Sequence, residues 1–216
     1  MFKKSESSKS VASKFKEEVK ELKVILLGET GVGKTNIINK YIKGDFVKDS
    51  TPTIGSTFGE KNIKREGCIY SLKVWDTTGQ EKYNSITKLF VRDSNIVILV
   101  YAIDNLASFE KIKFWYNYIN QELKKNTYVL GILGNKRDLI DYEVVSEDDG
   151  KKIAKEKNAI FGLVSAKIDK QQISDFFEAL LDEFINKKLD QYLNDTSIRI
   201  EGEGENNENN RTKKCC

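Results

Sequence analysis

Two short stretches carry residue types suited to holding phosphate and reading a purine base. Gly28-Glu29-Thr30-Gly31-Val32-Gly33-Lys34-Thr35 has the spacing G-x-x-x-x-G-K-S/T. Glycines let such a loop curl so that its backbone N–H groups point inward around a phosphate. A following helix turns its positive dipole end toward the anion. In that geometry the Lys34 ammonium reaches the β- and γ-phosphates and the Thr35 hydroxyl can ligate Mg²⁺. The flanks suit the motif: Leu22 to Leu27 is a short apolar run of strand type. Asn36 to Ile42 has Ile37, Ile38, Tyr41 and Ile42 at helical spacing.

A phosphate loop selects nucleotides, not the base. The second stretch, Asn135-Lys136-Arg137-Asp138, follows the apolar run Tyr128 to Gly134. It falls at the carboxyl end of an expected buried strand, where open α/β sheets bind ligands. A carboxylate there can accept two hydrogen bonds from the N1–H and N2–H₂ edge of guanine. Adenine lacks both donors and would leave a buried Asp138 unpaired. Ser165-Ala166-Lys167 follows a further apolar run, Ile160 to Val164. Three such elements in this order, each after a strand, point to a guanine nucleotide.

On these motifs the chain resembles the small Ras-like GTPases, and among them the Rab branch, over about Glu21 to Leu189. Asp76-Thr77-Thr78-Gly79-Gln80-Glu81 is similar to the family's D-x-x-G-Q-E second switch. Thr53, within Thr51-Pro52-Thr53-Ile54-Gly55, matches the threonine of the first switch. Ile54 to Phe58 and Lys82 to Thr87 resemble Rab-type switch sequences, and the terminal Cys215-Cys216 is similar to a double-cysteine prenylation signal.

The resemblance implies an α/β fold, a three-layer P-loop G domain. Its mostly parallel six-stranded sheet would have one antiparallel strand and about five helices. It implies that GTP or GDP binds with Mg²⁺, which Thr35 and Thr53 would hold directly and Asp76 through a water. Thr53 and the Gly79 N–H would sense the γ-phosphate, and Gln80 would orient the attacking water. Asn135 and Asp138 would read the base between the stems of Lys136 and Lys167, with the Ser165-Ala166 backbone near guanine O6. Phe46, seven residues before Thr53, matches the aromatic that packs on the base. Ile54, Phe58, Trp75 and Phe90 would form an effector surface. Implied partners are effectors, an exchange factor, a GAP and an escort for the prenylated tail. The expected site of action is the cytoplasmic face of an endosomal or Golgi membrane.

Composition agrees with one such domain. The 216 residues carry a net charge of only +3, giving no footprint for nucleic acid, and the chain is expected to be monomeric. There is no histidine, which removes histidine-based acid–base and metal chemistry. Three cysteines cannot make a disulfide framework, and Cys68 is expected to be a small core residue. No stretch is long and apolar enough to span a bilayer.

The positioning elements read as an alternation of strands and helices. Phe58 to Arg65 and Cys68 to Trp75 form a hairpin around Glu66-Gly67. Asn95 to Ala102 is a buried parallel strand. Leu106 to Leu123 and Ile173 to Leu189 are amphipathic helices. Residues 1–20 read as a flexible extension, with a frayed helix over Val11 to Glu21, and 21–190 as the G domain. Residues 191–216, rich in Glu, Gly and Asn, read as a disordered tether ending in the prenylation signal. Such a tether spans on the order of 28 Å. Two alternatives stand beside the switch. A P-loop ATPase or kinase would have no use for Asn135 and Asp138. A GTP-binding scaffold with little hydrolysis draws support from Thr78, which stands where the family usually has alanine.

Overall fold

Alternating apolar positions along β1 (Val19–Leu27) divide between two cores. Leu22, Val24 and Leu26 enter one cluster, and Ile25 and Leu27 the other. Strand β4 (Ile96–Ala102) does the same: Ile96, Ile98, Val100 and Ala102 face the first core, and Val97, Leu99 and Tyr101 the second. A strand buried on both faces must lie in the middle of a three-layer sandwich. The computed structural model describes residues 18–48, 57–77, 84–124 and 126–187.

Six strands form one sheet. The others are β2 (Thr57–Arg65), β3 (Cys68–Asp76), β5 (Val129–Asn135) and β6 (Ile160–Leu163), and the order is β2-β3-β1-β4-β5-β6. Only β2 runs antiparallel, in register with β3 from Thr57↔Asp76 to Arg65↔Cys68. Glu66 and Gly67 both have positive φ, 50° and 81°, as a tight hairpin turn requires.

Six α-helices are described: α1 (Lys34–Ile42), α2 (Asn84–Val91), α3 (Leu106–Glu110), α4 (Ile112–Glu122), α5 (Glu147–Glu156) and α6 (Lys170–Asn186). A 3₁₀ segment spans Arg137–Tyr142. The architecture is the expected one, with one helix more because Leu106 to Leu123 is split. Lys111 (φ −69°, ψ −13°) tightens the chain between α3 and α4. Helices α1 and α6 cover one face of the sheet, where the Tyr41 and Phe177 rings stack with centroids 3.9 Å apart. Trp115 and Ile119 of α4 and Ile153 of α5 fill the other core.

Two further expectations change. Residues Val19 to Glu21 are strand, not frayed helix, because β3 extends far enough to pair with them: Val19 opposes Ile69 and Glu21 opposes Ser71. Cys68 is half-buried at the margin of the core rather than inside it. The C-terminal ends of β1, β4, β5 and β6 share one edge of the sheet. The strand order reverses between β1 and β4, which opens a crevice there.

No described helix is long and apolar enough to cross a membrane. The N-terminal extension before Glu18, the tether, Cys215 and Cys216 lie outside the described residues.

Candidate functional site

The loop leaving β1 is shaped by its glycines. Gly33 has φ 94°, and a Cβ there would sit 2.4 Å from Asn135 Nδ2, so only glycine admits the Asn135 side chain. Gly28 is similarly closed: a Cβ would lie 2.2 Å from the Val100 carbonyl oxygen. Helix α1 then begins with no acidic residue in its first turn. Helix α5, by contrast, satisfies its own N-terminus with a bond from Asp149 N to the Ser146 side chain and with Glu147, Asp148 and Asp149 in its first turn. No acidic side chain of its own first turn therefore competes with an anion for the dipole at the start of α1.

Lys34 is 5% exposed and folds over the loop. Its ammonium donates to the Gly28 carbonyl at 2.7 Å and the Glu29 carbonyl at 2.9 Å. Burial draws its pKa down to about 8, against the opposing pull of Asp76 and Glu29. A phosphate beside it would favour the charged ammonium and oppose that shift. Thr35 donates from Oγ1 to Asp76 Oδ2 at 2.8 Å, joining the phosphate loop to the end of β3. This puts a hydroxyl and a carboxylate oxygen side by side, a hard donor set that suits Mg²⁺.

The base-reading motifs meet the same loop. Asn135, 2% exposed, donates from Nδ2 to the Val32 carbonyl at 2.8 Å and accepts at Oδ1 from Ala166 N at 3.0 Å. Lys136 takes a left-handed conformation, φ 68°, and its ammonium lies 3.1 Å from Asp104 Oδ2. The Ser165 hydroxyl donates to Asp138 Oδ1, and the Lys167 ammonium lies 3.8 Å from Asp138 Oδ2. One edge of the sheet therefore brings together Gly28, Glu29, Val32, Gly33, Lys34, Thr35, Asp76, Asn135, Lys136, Asp138, Ser165, Ala166 and Lys167. Thr30 and Gly31 form the outer part of the loop, and both are exposed.

Phe46, 37% exposed, precedes Val47, which exchanges two hydrogen bonds of 3.1 Å with the Asn36 side chain of α1. Phe58, Trp75 and Phe90 form a continuous aromatic row, with centroid distances of 5.2 and 5.6 Å, and Phe58 is 57% exposed. Thr53, Ile54, Thr78, Gly79 and Gln80 lie outside the described residues.

Several contributors escaped the sequence reading. The Thr77 hydroxyl donates to the Leu26 carbonyl at 2.6 Å, tying the segment after β3 to β1 just before the phosphate loop. Asp104 holds Lys136, and Asp169 joins Arg137 to Ser165. The only sequence signal for Asp169 is a carboxylate four residues after Ser165.

Residues 23–186 match the Ras family model. Mouse (Mus musculus) Ras-related protein Rab-17 is 35% identical over 168 residues, 78% of each chain. Human (Homo sapiens) Rab-22A is 38% identical over 149 residues, 69% of this chain and 76% of its own. Ras-related protein RGP2 of Oryza sativa subsp. japonica is 34% identical over 169 residues, 77% of each chain. A phosphate loop, an Asn-Lys-Arg-Asp loop and a Ser-Ala-Lys loop converging at one sheet edge agree with that match: the chain belongs to the Ras family, as a Rab-like small GTPase.

Proposed function

We propose that the chain is a GTP/GDP-cycled, membrane-tethered switch that acts in vesicle trafficking by recruiting effectors in its GTP state. The observation that carries this reading is Asn135, whose amide bonds at once to the phosphate loop and to the Ser165-Ala166-Lys167 loop. A nucleotide held there would have its phosphates and its base fixed by one rigid unit.

In this reading Gly28 to Thr35 hold the phosphates and Lys34 contributes the charge. Thr35 and Thr53 would hold Mg²⁺ directly and Asp76 through a water. When bound, the ion neutralises charge on the phosphate oxygens. Asp138 accepts from guanine N1–H and N2–H₂, the Ser165-Ala166 backbone approaches O6, Lys136 and Lys167 cover the two faces of the base, and Phe46 packs against it. Thr53 and the Gly79 N–H order both switches around the γ-phosphate and release them after hydrolysis.

Gln80 orients the attacking water. Intrinsic turnover in this class is slow, on the order of 10⁻⁴ to 10⁻³ s⁻¹, and a GAP arginine accelerates it. The row Phe58, Trp75 and Phe90 offers effectors aromatic anchors, and the resemblance assigns Ile54, outside the described residues, to the same effector surface. Two prenyl groups on Cys215 and Cys216 would anchor stably where one would not. The Lys213-Lys214 pair adds little attraction to an anionic surface, because Glu201, Glu203, Glu205 and Glu208 lie upstream. An exchange factor and an escort for the lipidated tail complete the cycle, at an endosomal or Golgi membrane.

Competition on the full chain tests the reading. GTP and GDP should displace a fluorescent GDP, with Mg²⁺ strengthening binding, while ATP at the same concentration should not. Equal displacement by ATP would contradict guanine recognition.

A further inference from the structure

Asp169 occupies the N-cap of α6, yet its side chain makes no bond to that helix. A carboxylate at this position ordinarily accepts from the helix's own first N–H groups. Here it turns back toward the base-reading loops. Oδ2 accepts from Ser165 N at 2.8 Å, and Oδ1 accepts from Arg137 Nη2 at 2.7 Å. Asp169 is 5% exposed, while Arg137 reaches it from the surface with a side chain 40% exposed.

The contacts close a ring. Arg137 bonds to Asp169, Asp169 to the Ser165 N–H, the Ser165 hydroxyl to Asp138, and Asp138 follows Arg137 in the chain. The Arg137 N–H also donates to the Val164 carbonyl at 3.1 Å. The loop after β5 and the loop after β6 are therefore fastened together by contacts separate from those of Asn135.

We propose that Arg137 and Asp169 are positioning residues that clamp these two loops and so set how long the base stays bound and how sharply guanine is recognised. The inference rests on the reading of Asp138 and Ala166 as guanine contacts. Asp138 reads the N1/N2 edge and Ala166 the O6 edge, so both bonds are good only while the loops keep their spacing. A buried carboxylate that loses its cation is left uncompensated. The strain would fall on Ser165, whose N–H donates to Asp169 and whose hydroxyl donates to Asp138.

The test compares the full chain with Arg137→Gln, Arg137→Lys, Asp169→Asn and the Arg137→Gln/Asp169→Asn double variant, all with Mg²⁺. Release of fluorescent GDP and IDP is timed for each, and the thermal midpoint is recorded. IDP lacks the 2-amino group and forgoes one of the two bonds to Asp138. Arg137→Gln and Asp169→Asn should each speed GDP release about tenfold and should not compound in the double variant. IDP release should change less, so the GDP-over-IDP preference narrows, and Arg137→Lys should restore part of it.

Unchanged GDP release and an unchanged GDP-over-IDP ratio would overturn the proposal. So would equal acceleration of both nucleotides with a lowered midpoint, which is what a fold staple alone would give. If Asp169→Asn does not fold, Arg137→Gln, at the surface, decides alone. A parent chain that prefers GDP no more than ADP would instead contradict the guanine reading, and the clamp would fall with it.

Discussion

The Asn135 amide nitrogen lies 2.8 Å from the Val32 carbonyl oxygen, so a side chain at the end of β5 is bonded into the phosphate loop 103 residues earlier. The same side chain accepts from Ala166 N at 3.0 Å. Its two polar ends are both used by backbone, and it is buried. Asn135 is therefore a strut between three loops before it is a contact to any base.

This strut predicts the cost of breaking it. Asn135→Ala leaves the buried Ala166 N–H and Val32 carbonyl without that partner, at about 1–3 kcal/mol for each group. Gly33→Ala reaches the same bond from the other side, because its Cβ would collide with Asn135 Nδ2. Both variants should unfold at lower urea and bind GDP more weakly. A GDP titration matching the parent's in both variants would show that the strut does not support the site.

The packing of α1 on α6 predicts a separable effect. Tyr41 is sandwiched between Phe177, with centroids 3.9 Å apart, and the Lys61 ammonium, 4.0 Å from its ring. Phe177→Ala should cost about 3–5 kcal/mol through the cavity it leaves. Affinity of the folded variant for GDP should stay within about twofold, since neither ring is among the residues placed at the nucleotide site. Urea unfolding and a GDP titration on one preparation check both halves.

Thr78 and Gln80 divide the switch from the inert scaffold. Gln80→Leu should keep GTP binding and slow single-turnover hydrolysis, because leucine cannot orient a water. Thr78→Ala should speed hydrolysis: threonine is stiff at χ1 and bulky beside Gly79. Misplacing the attacking water by about 1 Å costs on the order of 10²-fold. Equal rates for Gln80→Leu and parent would remove its proposed role. A Thr78→Ala rate at or below the parent's would show that Thr78 does not restrain the chemistry.

The tail predicts independence. Cys215→Ser with Cys216→Ser should move the protein from membranes to the soluble fraction and leave nucleotide affinity unchanged. Fractionation of cells expressing each form reads the first half. Membrane binding that persists would point to residues 1–17 or to a protein receptor.

The motifs were legible because their geometry is local. A phosphate loop needs glycines at fixed spacing, and Gly28 and Gly33 are where a Cβ would clash. Two-sided burial of β4 and β5 was written in their apolar runs. What the sequence concealed depends on partners far along the chain. Val19 to Glu21 are strand because β3 pairs with them, and nothing in their own composition says so. Arg137 and Asp169, 32 residues apart, meet only once β5 and β6 are neighbours. The break at Lys111 is a matter of ψ, invisible to hydrophobic periodicity.

The base preference of Asp138→Asn tests the central claim most directly. An amide accepts one bond and donates one, which suits the keto edge of xanthine and mismatches guanine's two donors. GTP affinity should fall by about 2–4 kcal/mol, through loss of a charge-assisted two-bond contact, while affinity for xanthosine triphosphate rises. GTP affinity equal to the parent's, with no gain for the xanthine nucleotide, would contradict guanine recognition at this site.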